Sequence, residues 1–539
     1  MAGKSARCWQ YCLPMSVTFH SGCLWGVSGE PVRVEVDVLS ALPCFQVVGL
    51  PGPSVRESRE RVRSAVKSSG LPFPRRRITV NLAPADRPKH GTGLDLPIAL
   101  AIVVAAHAGQ EDTGDVPLTP PAAVGELGLG GDIRPVRGVL PIVEAVAQAG
   151  AESVIVACGN AAEAALVPGI QVLPAATLAE AWQIVRGEQQ VSWSPGPAPT
   201  EVTRTPGPDL LQVRGLHHGR RVLEVAAAGG HSLLLEGPPG SGKSLLARCL
   251  AGLLPDLGDA EALEVTRIRS AAGLLQAGAG LVRRPPLRSP HHSASSAAVV
   301  GGGRPLSPGE VTLAHRGVLF LDEIPEFRRG VLEALRQPLQ DGNISIARAD
   351  QCALFPADFL LVATRNPCPC GFLGCENQPC RCAPAARERY LQRLSGPILD
   401  RIDLVAWVDP VAPEQLLGPA DGESSEVVRE RVRAVRALRA ERQLAGASLA
   451  SGQSDDLQES LRRFTSGARR ELEAALQRAM ASGRGVQQLV RVAETLSDLE
   501  QSESVRVAHV EESILLSLSS AQAGPFPSPQ SAAVRHTHN

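Results

Sequence analysis

The chain has 539 residues, 44% hydrophobic and 20% charged, so it is long enough for about three folded units and ordinary enough in composition to bury sizeable cores. Its 54 basic side chains against 55 acidic give a formal net charge of -1, which excludes a protein-wide field for polyanions; any such contact must be a local patch. Aromatics are scarce at 3%, and 52 glycines with 44 prolines point to aliphatic cores joined by many tight turns.

Residues 1–15 lack a continuous apolar h-region and are read as a leader without defined structure. Pro31 to Val38 alternates as a strand, Ser54 to Ser69 carries the period of a charged amphipathic helix, and Arg77 to Leu82 returns to strand character. The longest apolar run, Leu96 to Ala106, is well short of the ~20 residues a spanning helix needs, so no membrane span is expected. Helical runs at Leu140 to Gln148 and Leu178 to Arg186 alternate with strands at Ser153 to Ala157 and Ile170 to Leu173, which sets an α+β unit over residues 16–188.

Residues 189–208 are rich in proline and glycine and are read as a linker. An apolar strand (Ser232 to Glu236), a glycine loop, a helix from Lys243 and a second strand (Val318 to Leu321) then form an α/β nucleotide-binding layout over 209–425. Arginine-rich helical periodicity predicts an all-helical unit over 426–520, and 521–539 is a Pro-, Ser- and His-rich tail expected to be disordered.

The segment Gly237, Pro238, Pro239, Gly240, Ser241, Gly242, Lys243, Ser244 fits G-x-x-x-x-G-K-[ST] and lies between a strand and a helix. Glycines let backbone N–H groups converge on phosphates, Lys243 brings charge to the β/γ oxygens, and the Ser244 hydroxyl is a ligand for Mg²⁺. The apolar strand Gly317 to Leu321 ends in Asp322, a candidate Mg²⁺ ligand, and Glu323, a candidate to orient the attacking water. A chance Asp-Glu pair at a helix start is the bland alternative, weakened by its place some eighty residues after Lys243. Asn366 closes a further strand, where it is either a γ-phosphate contact or a turn former. Arg401 sits between Asp400 and Asp403 and is either a cation for a neighbour's ATP or a partner in a surface pair with those acids.

Five of the twelve cysteines fall between Cys368 and Cys382. Cys368, Cys370, Cys380 and Cys382 are a candidate Zn²⁺ set with Cys375 spare, although C-x-C is a less usual spacing than C-x₂-C and reduced loop thiols are the alternative. His291 and His292 in a Ser-rich loop are read as substrate-facing rather than metal-binding.

Taken with RSPHHSASSAAVVGGG, PGEVTLAHRGVLFLDEIPEF, ALRQPLQDG, NPCPCG and SGPILDRIDL, these motifs resemble the magnesium-chelatase-like AAA+ ATPases of the YifB/ComM type. Upstream, VVGLPGPSVRESRERVRSAVKSSG, RRRITVNLAPAD and DLPIALAI resemble that family's extra domain, which is similar to the Lon-protease and ribosomal-S5-like fold. With no h-region and no membrane span the chain is read as cytoplasmic, and the resemblance implies a homohexamer that uses ATP and Mg²⁺, with ComM-like members acting as DNA branch-migration helicases in natural transformation. It also implies that Asn366 is sensor 1, Arg401 the arginine finger and Arg484 sensor 2. Two departures stand out. Arg365 places a charge beside sensor 1, either altering nucleotide coupling or facing solvent, and Gly93, Leu140 and Ile142 stand where a Ser-Lys peptidase dyad needs its nucleophile and base, so proteolysis is not expected. The basic run Arg75 to Arg77 and the arginine-rich helix from Val427 to Gln443 are candidate phosphate contacts, each with a solvated or ion-paired alternative. An ATPase that remodels a protein or chelatase partner is the second functional expectation.

Overall fold

The computed structural model describes residues 16–107, 120–189, 191, 193, 207–276, 278–303, 306–348, 351–375, 378–444, 456–479 and 483–517. The expected leader, most of the linker and the tail beyond 520 lie outside these residues.

Two long strands that the sequence reading only half anticipated begin the described chain. Val17–Trp25 turns back through Gly26 into Ser28–Leu39, pairing antiparallel with Val17 opposite Val36. The sheet continues through Arg77–Ala83 to Cys44–Val48, the last pair being parallel because the helix Pro53–Ser68 crosses over between them. Alternation places Val32, Val34 and Val36 inward with Ile78, Val80 and Leu82. The apolar run becomes the helix Asp95–His107, whose residues from Asp95 to Val104 are all buried against that sheet and the crossover helix. A helix apolar on every side belongs inside a core, and among the described residues no helix is long and apolar enough to cross a membrane. Its buried Asp95 is held by Arg61 at 2.6 and 3.0 Å. A second, parallel sheet of Ala122–Val124, Ser153–Ala157 and Gln171–Ala175 completes this half.

The second half is built on a five-stranded parallel sheet in the order Leu287–Arg288, Val318–Leu321, Leu360–Arg365, Leu233–Glu236, Leu404–Trp407. The three central strands are buried and are apolar except at the ends Glu236 and Thr364-Arg365, as a parallel sheet covered on both faces requires. Helices His217–Gly229 and Lys243–Leu253 cover one face, and onto them packs the first helix of the C-terminal bundle, Ser425–Leu444. Asp456–Arg462, Ser466–Ala479, Gly483–Leu499 and Val507–Ser517 complete the bundle. The arginines of Ser425–Leu444 are spent within the protein: Arg431 pairs with Glu224 and Glu423, Arg436 donates to the Ala227 carbonyl, and Arg439 and Arg442 pair with the buried Asp498. This favours the ion-paired alternative for that helix over a phosphate-binding face.

The two halves meet where Val27, with Trp25 beside it, packs on Ile268, Ala271, Leu306, Ala353 and Phe355. Arg267 grips Glu144 through two bonds of 2.6 and 2.7 Å, and Trp25 Nε1 donates to the Cys352 carbonyl at 3.1 Å. The last two of those apolar residues and Cys352 lie on the hairpin Asn343–Arg348 with Gln351–Pro356, so the N-terminal unit touches an extension of the nucleotide-binding layout directly.

Candidate nucleotide site

The parallel order brings three strand ends side by side. Leu321 pairs with Ala363 and Glu236 with Arg365, so the glycine loop after Glu236, the acids after Leu321 and the Thr364-Arg365-Asn366 end emerge along one edge. Ligands of open α/β sheets bind at that carboxyl edge. Gly240 and Gly242 adopt φ of +77° and +92°, conformations that L side chains resist, and the loop then feeds the helix starting at Lys243.

Lys243 is buried, its Nζ donating to the Gly237 and Pro238 carbonyls at 2.8 and 2.7 Å. Burial lowers its pKa, while the nearby Asp322 and Glu323 act in the opposite direction. The Ser244 hydroxyl lies 3.0 and 3.1 Å from the two Asp322 carboxylate oxygens, placing two hard oxygen donors together as a Mg²⁺ site requires. Ser241 presents a buried hydroxyl with no hydrogen-bond partner in the same loop. An orphaned donor, a glycine cradle and a clustered lysine fit a triphosphate.

Glu323 is held in the left-handed region, φ +52° and ψ +55°, where a residue with a Cβ is strained. Its N–H donates to Thr364 Oγ1 at 2.9 Å, and the same hydroxyl donates to Asp322 Oδ1 at 2.6 Å. Sequence reading did not single out Thr364; the signal available was a hydroxyl in an otherwise apolar strand, two residues before Asn366. The Asn366 amide approaches Glu323 Oε1 at 3.5 Å. Lys243, Ser244, Asp322, Glu323 and Asn366 are therefore brought together, with Thr364 tying the two acids to one strand.

Arg365 does not face solvent. It is buried in an ion pair with the buried Glu236, joining the end of its own strand to the residue before the glycine loop. Arg401 makes neither of the surface pairs weighed for it: it donates to the Pro397 carbonyl at 2.6 Å and to Gln340 Oε1 at 2.5 Å. Asp403 instead accepts from the Ser232 N–H and faces His231. Arg401 has its pKa lowered by burial and by the nearby cations Arg484 and Arg336. Arg401 and Arg484 thus share one cationic neighbourhood, braced by Gln488 donating to the Asp400 and Ile402 carbonyls, and the bonds of Arg401 run to Pro397 and Gln340 rather than to the Lys243 cluster.

The sulfurs of Cys368, Cys370, Cys380 and Cys382 lie within 4.8 Å of one another, with Cys375 outside the set. Among the described residues no other group of three or more His, Cys, Asp or Glu side chains converges this way, and His291 and His292 are exposed, their rings tilted by 35° with centroids 4.1 Å apart. In the N-terminal unit Gly93 faces Val124 and Val136, while Leu140 and Ile142 are core residues. Beside them a cavity of about 320 Å³ is lined by Cys23, Thr92 and Glu126. Burial pushes the Cys23 thiol up to about 11, which keeps it protonated at neutral pH and a poor nucleophile.

Three family models match the chain: magnesium chelatase, subunit ChlI, over residues 209–416; subunit ChlI of Mg-chelatase over 34–160; and the magnesium chelatase subunit ChlI C-terminal region over 422–516. YifB of Escherichia coli is 42% identical over 506 residues, covering 92% of this chain and 96% of its own. The competence protein ComM of Haemophilus influenzae is 41% identical over 507 residues, with the same shares of 92% and 96%. The chain belongs to the YifB/ComM family of magnesium-chelatase-like AAA+ ATPases. The magnesium-chelatase 38 kDa subunit of Rhodobacter capsulatus is a more distant relative, 28% identical over 162 residues that cover 27% of this chain and 46% of that subunit. The glycine loop, the Asp322-Glu323 pair and Asn366 all fall inside the first of the three matched regions.

Proposed function

We propose that the protein is an ATP-hydrolysing motor that assembles as a homohexamer in the cytoplasm and moves on DNA as a branch-migration translocase of the ComM type. The observation that carries the ATPase step is the convergence of Lys243, Ser244, Asp322, Glu323 and Asn366 at the ends of three adjacent parallel strands. Lys243 would bind β/γ oxygens, exchanging its two carbonyl partners for phosphate. Glu323 would orient and polarise the attacking water, with Asn366 holding its carboxylate and the Thr364 hydroxyl holding its backbone. Ser244 and Asp322 would hold Mg²⁺, which when bound neutralises phosphate charge. Arg401, bonded to Pro397 and Gln340 rather than to the Lys243 cluster, and its neighbour Arg484 would suit an ATP bound by the neighbouring subunit.

The DNA part of the reading rests on the likeness to a competence protein. The exposed Arg75 and Arg76 are the candidate phosphate contacts on the N-terminal unit, which is proposed to be of the Lon-protease/S5-like type. The cofactors are ATP and Mg²⁺, with Zn²⁺ matched to the four-thiol cluster. The family models named for a chelatase subunit favour one second reading, an ATPase that remodels a protein partner. ATPase rates of wild type and Glu323→Gln, with and without forked DNA, separate the two. Stimulation by DNA that disappears in the variant supports the translocase. Hydrolysis that depends on Glu323 but ignores DNA, and rises with a protein partner, supports the second reading.

A further inference from the structure

We propose that Cys368, Cys370, Cys380 and Cys382 hold one Zn²⁺, and that the knuckle it closes is a clamp that fixes the wall of the ATP pocket against the glycine loop. The inference rests on the zinc reading of the cluster and adds a role to it.

That the set suits a single tetrahedral ion follows from distances, and its all-thiolate donors suit zinc. Zn–S bonds of about 2.3 Å at tetrahedral angles put sulfurs about 3.8 Å apart. The contacts here are 3.4 Å for Cys368 to Cys370, 3.6 Å for Cys368 to Cys380 and 3.7 Å for Cys370 to Cys380. Those separations are far beyond the ~2.05 Å of a disulfide. A set confined within 4.8 Å has room for one ion and none for a multi-iron cluster. Backbone N–H groups of Phe372 and Arg381 point at the Cys370 sulfur, and the Cys370 N–H points at Cys382 at 3.3 Å. Such N–H donors stabilise thiolate charge as an outer shell. The C-x-C spacing is compatible because the chain turns tightly after Cys370, the Gly371 N–H bonding to the Cys368 carbonyl at 2.9 Å.

The clamp follows from what that turn touches. Gly371 has φ +84°, and a Cβ built on it would lie 2.5 Å from Cδ and 2.6 Å from Cγ of Pro239. Pro239 is in the glycine loop itself, so the knuckle is seated on the loop that cradles the phosphates. Only Pro367 separates Asn366 from Cys368, so the knuckle also fixes the end of the strand carrying that amide. Further round, Gly374 packs on Trp407, which ends the strand paired with Leu233–Glu236, and Cys375 lies within the electrostatic reach of Lys243. The segment is short and polar, with only Cys368 of its cysteines fully buried, so packing alone offers little to hold it in place. Four metal bonds supply the rigidity that a hydrophobic core would otherwise provide.

The test uses the full-length protein. Metal analysis is expected to find one zinc per chain, and Co²⁺ exchanged into the site is expected to give the ligand-field bands of a tetrahedral thiolate complex. Binding of a fluorescent non-hydrolysable ATP analogue in the presence of Mg²⁺ is then measured before and after stripping under reducing conditions, and again after Zn²⁺ is returned. Stripping is expected to weaken binding about tenfold, equivalent to about 1.4 kcal/mol, and Zn²⁺ to restore it. Cys382→Ser should reproduce the weakened state, and Lys243→Ala should lose nucleotide while keeping its zinc. No metal, or iron in place of zinc, would overturn the metal assignment. One zinc per chain with nucleotide affinity unchanged after stripping would overturn the clamp and leave the zinc site standing. Failure of the untreated protein to bind the analogue would instead count against the ATP site itself.

Discussion

Thr364→Val isolates the contribution of one hydroxyl to the proposed hydrolysis step. Valine keeps the shape of this buried residue, so no cavity opens, and the loss is confined to the two bonds the hydroxyl makes. The bond to Asp322 Oδ1, at 2.6 Å to a charged acceptor, belongs to the class worth ~1.5–3 kcal/mol. The Glu323 N–H would be left unpaired, costing about 1–3 kcal/mol, and the strained left-handed backbone of Glu323 would lose its anchor. If the first loss appears in the transition state, turnover falls roughly 10- to 150-fold. Nucleotide affinity should stay within about threefold, because Lys243 and the glycine loop are untouched. Steady-state hydrolysis and analogue binding measured on Thr364→Val and Thr364→Ser check this, with serine expected to recover most of the rate. Turnover of the valine variant within twofold of wild type would refute the claim that Thr364 positions the two acids.

Arg401→Ala is expected to lower hydrolysis by ~10³ or more if it acts on a neighbour's ATP. Mixing it with Lys243→Ala should then recover part of the activity, since mixed rings contain an intact site; a mixture no more active than its components would place Arg401 outside the site. Asp498 reports on the helical bundle. Burial pushes its carboxyl up, but Arg439, Arg442 and Arg463, at 2.9, 2.7 and 2.8 Å, outweigh this and hold it below the usual range. Its contribution is therefore fully present above the unfolded value of about 3.9 and is lost as pH falls through the lower folded one. Asp498→Asn should cost about 3–5 kcal/mol at neutral pH and flatten the acid limb of stability, read by urea unfolding across pH; an unchanged acid limb would show that the carboxylate is not held low.

The elements of the ATPase half were legible because each carries a local rule. A glycine loop between an apolar strand and a helix, and acids ending a second apolar strand, follow from backbone freedom and burial alone. The longest apolar run was legible as too short for a membrane, yet its being a fully buried helix was decided by the sheet beneath it. The first strand, Val17–Trp25, was missed because its inward residues include Ser21 and Cys23, which blur the alternation. Arg365 was open between two readings because its partner, Glu236, is 129 residues away in sequence and becomes a neighbour only through the register of two parallel strands. Thr364 left only a weak signal for the same reason, since its hydroxyl matters only once the strand ending at Leu321 lies beside it. The cysteines show the division most plainly: residue type and spacing named four candidate ligands, while turn geometry set their sulfurs within 4.8 Å and seated Gly371 on Pro239. Sequence by itself determined which chemistries the chain carries, because those depend on residue type and short-range spacing. Tertiary structure decided which groups share a site, because strand order and register bring together residues that no local rule connects.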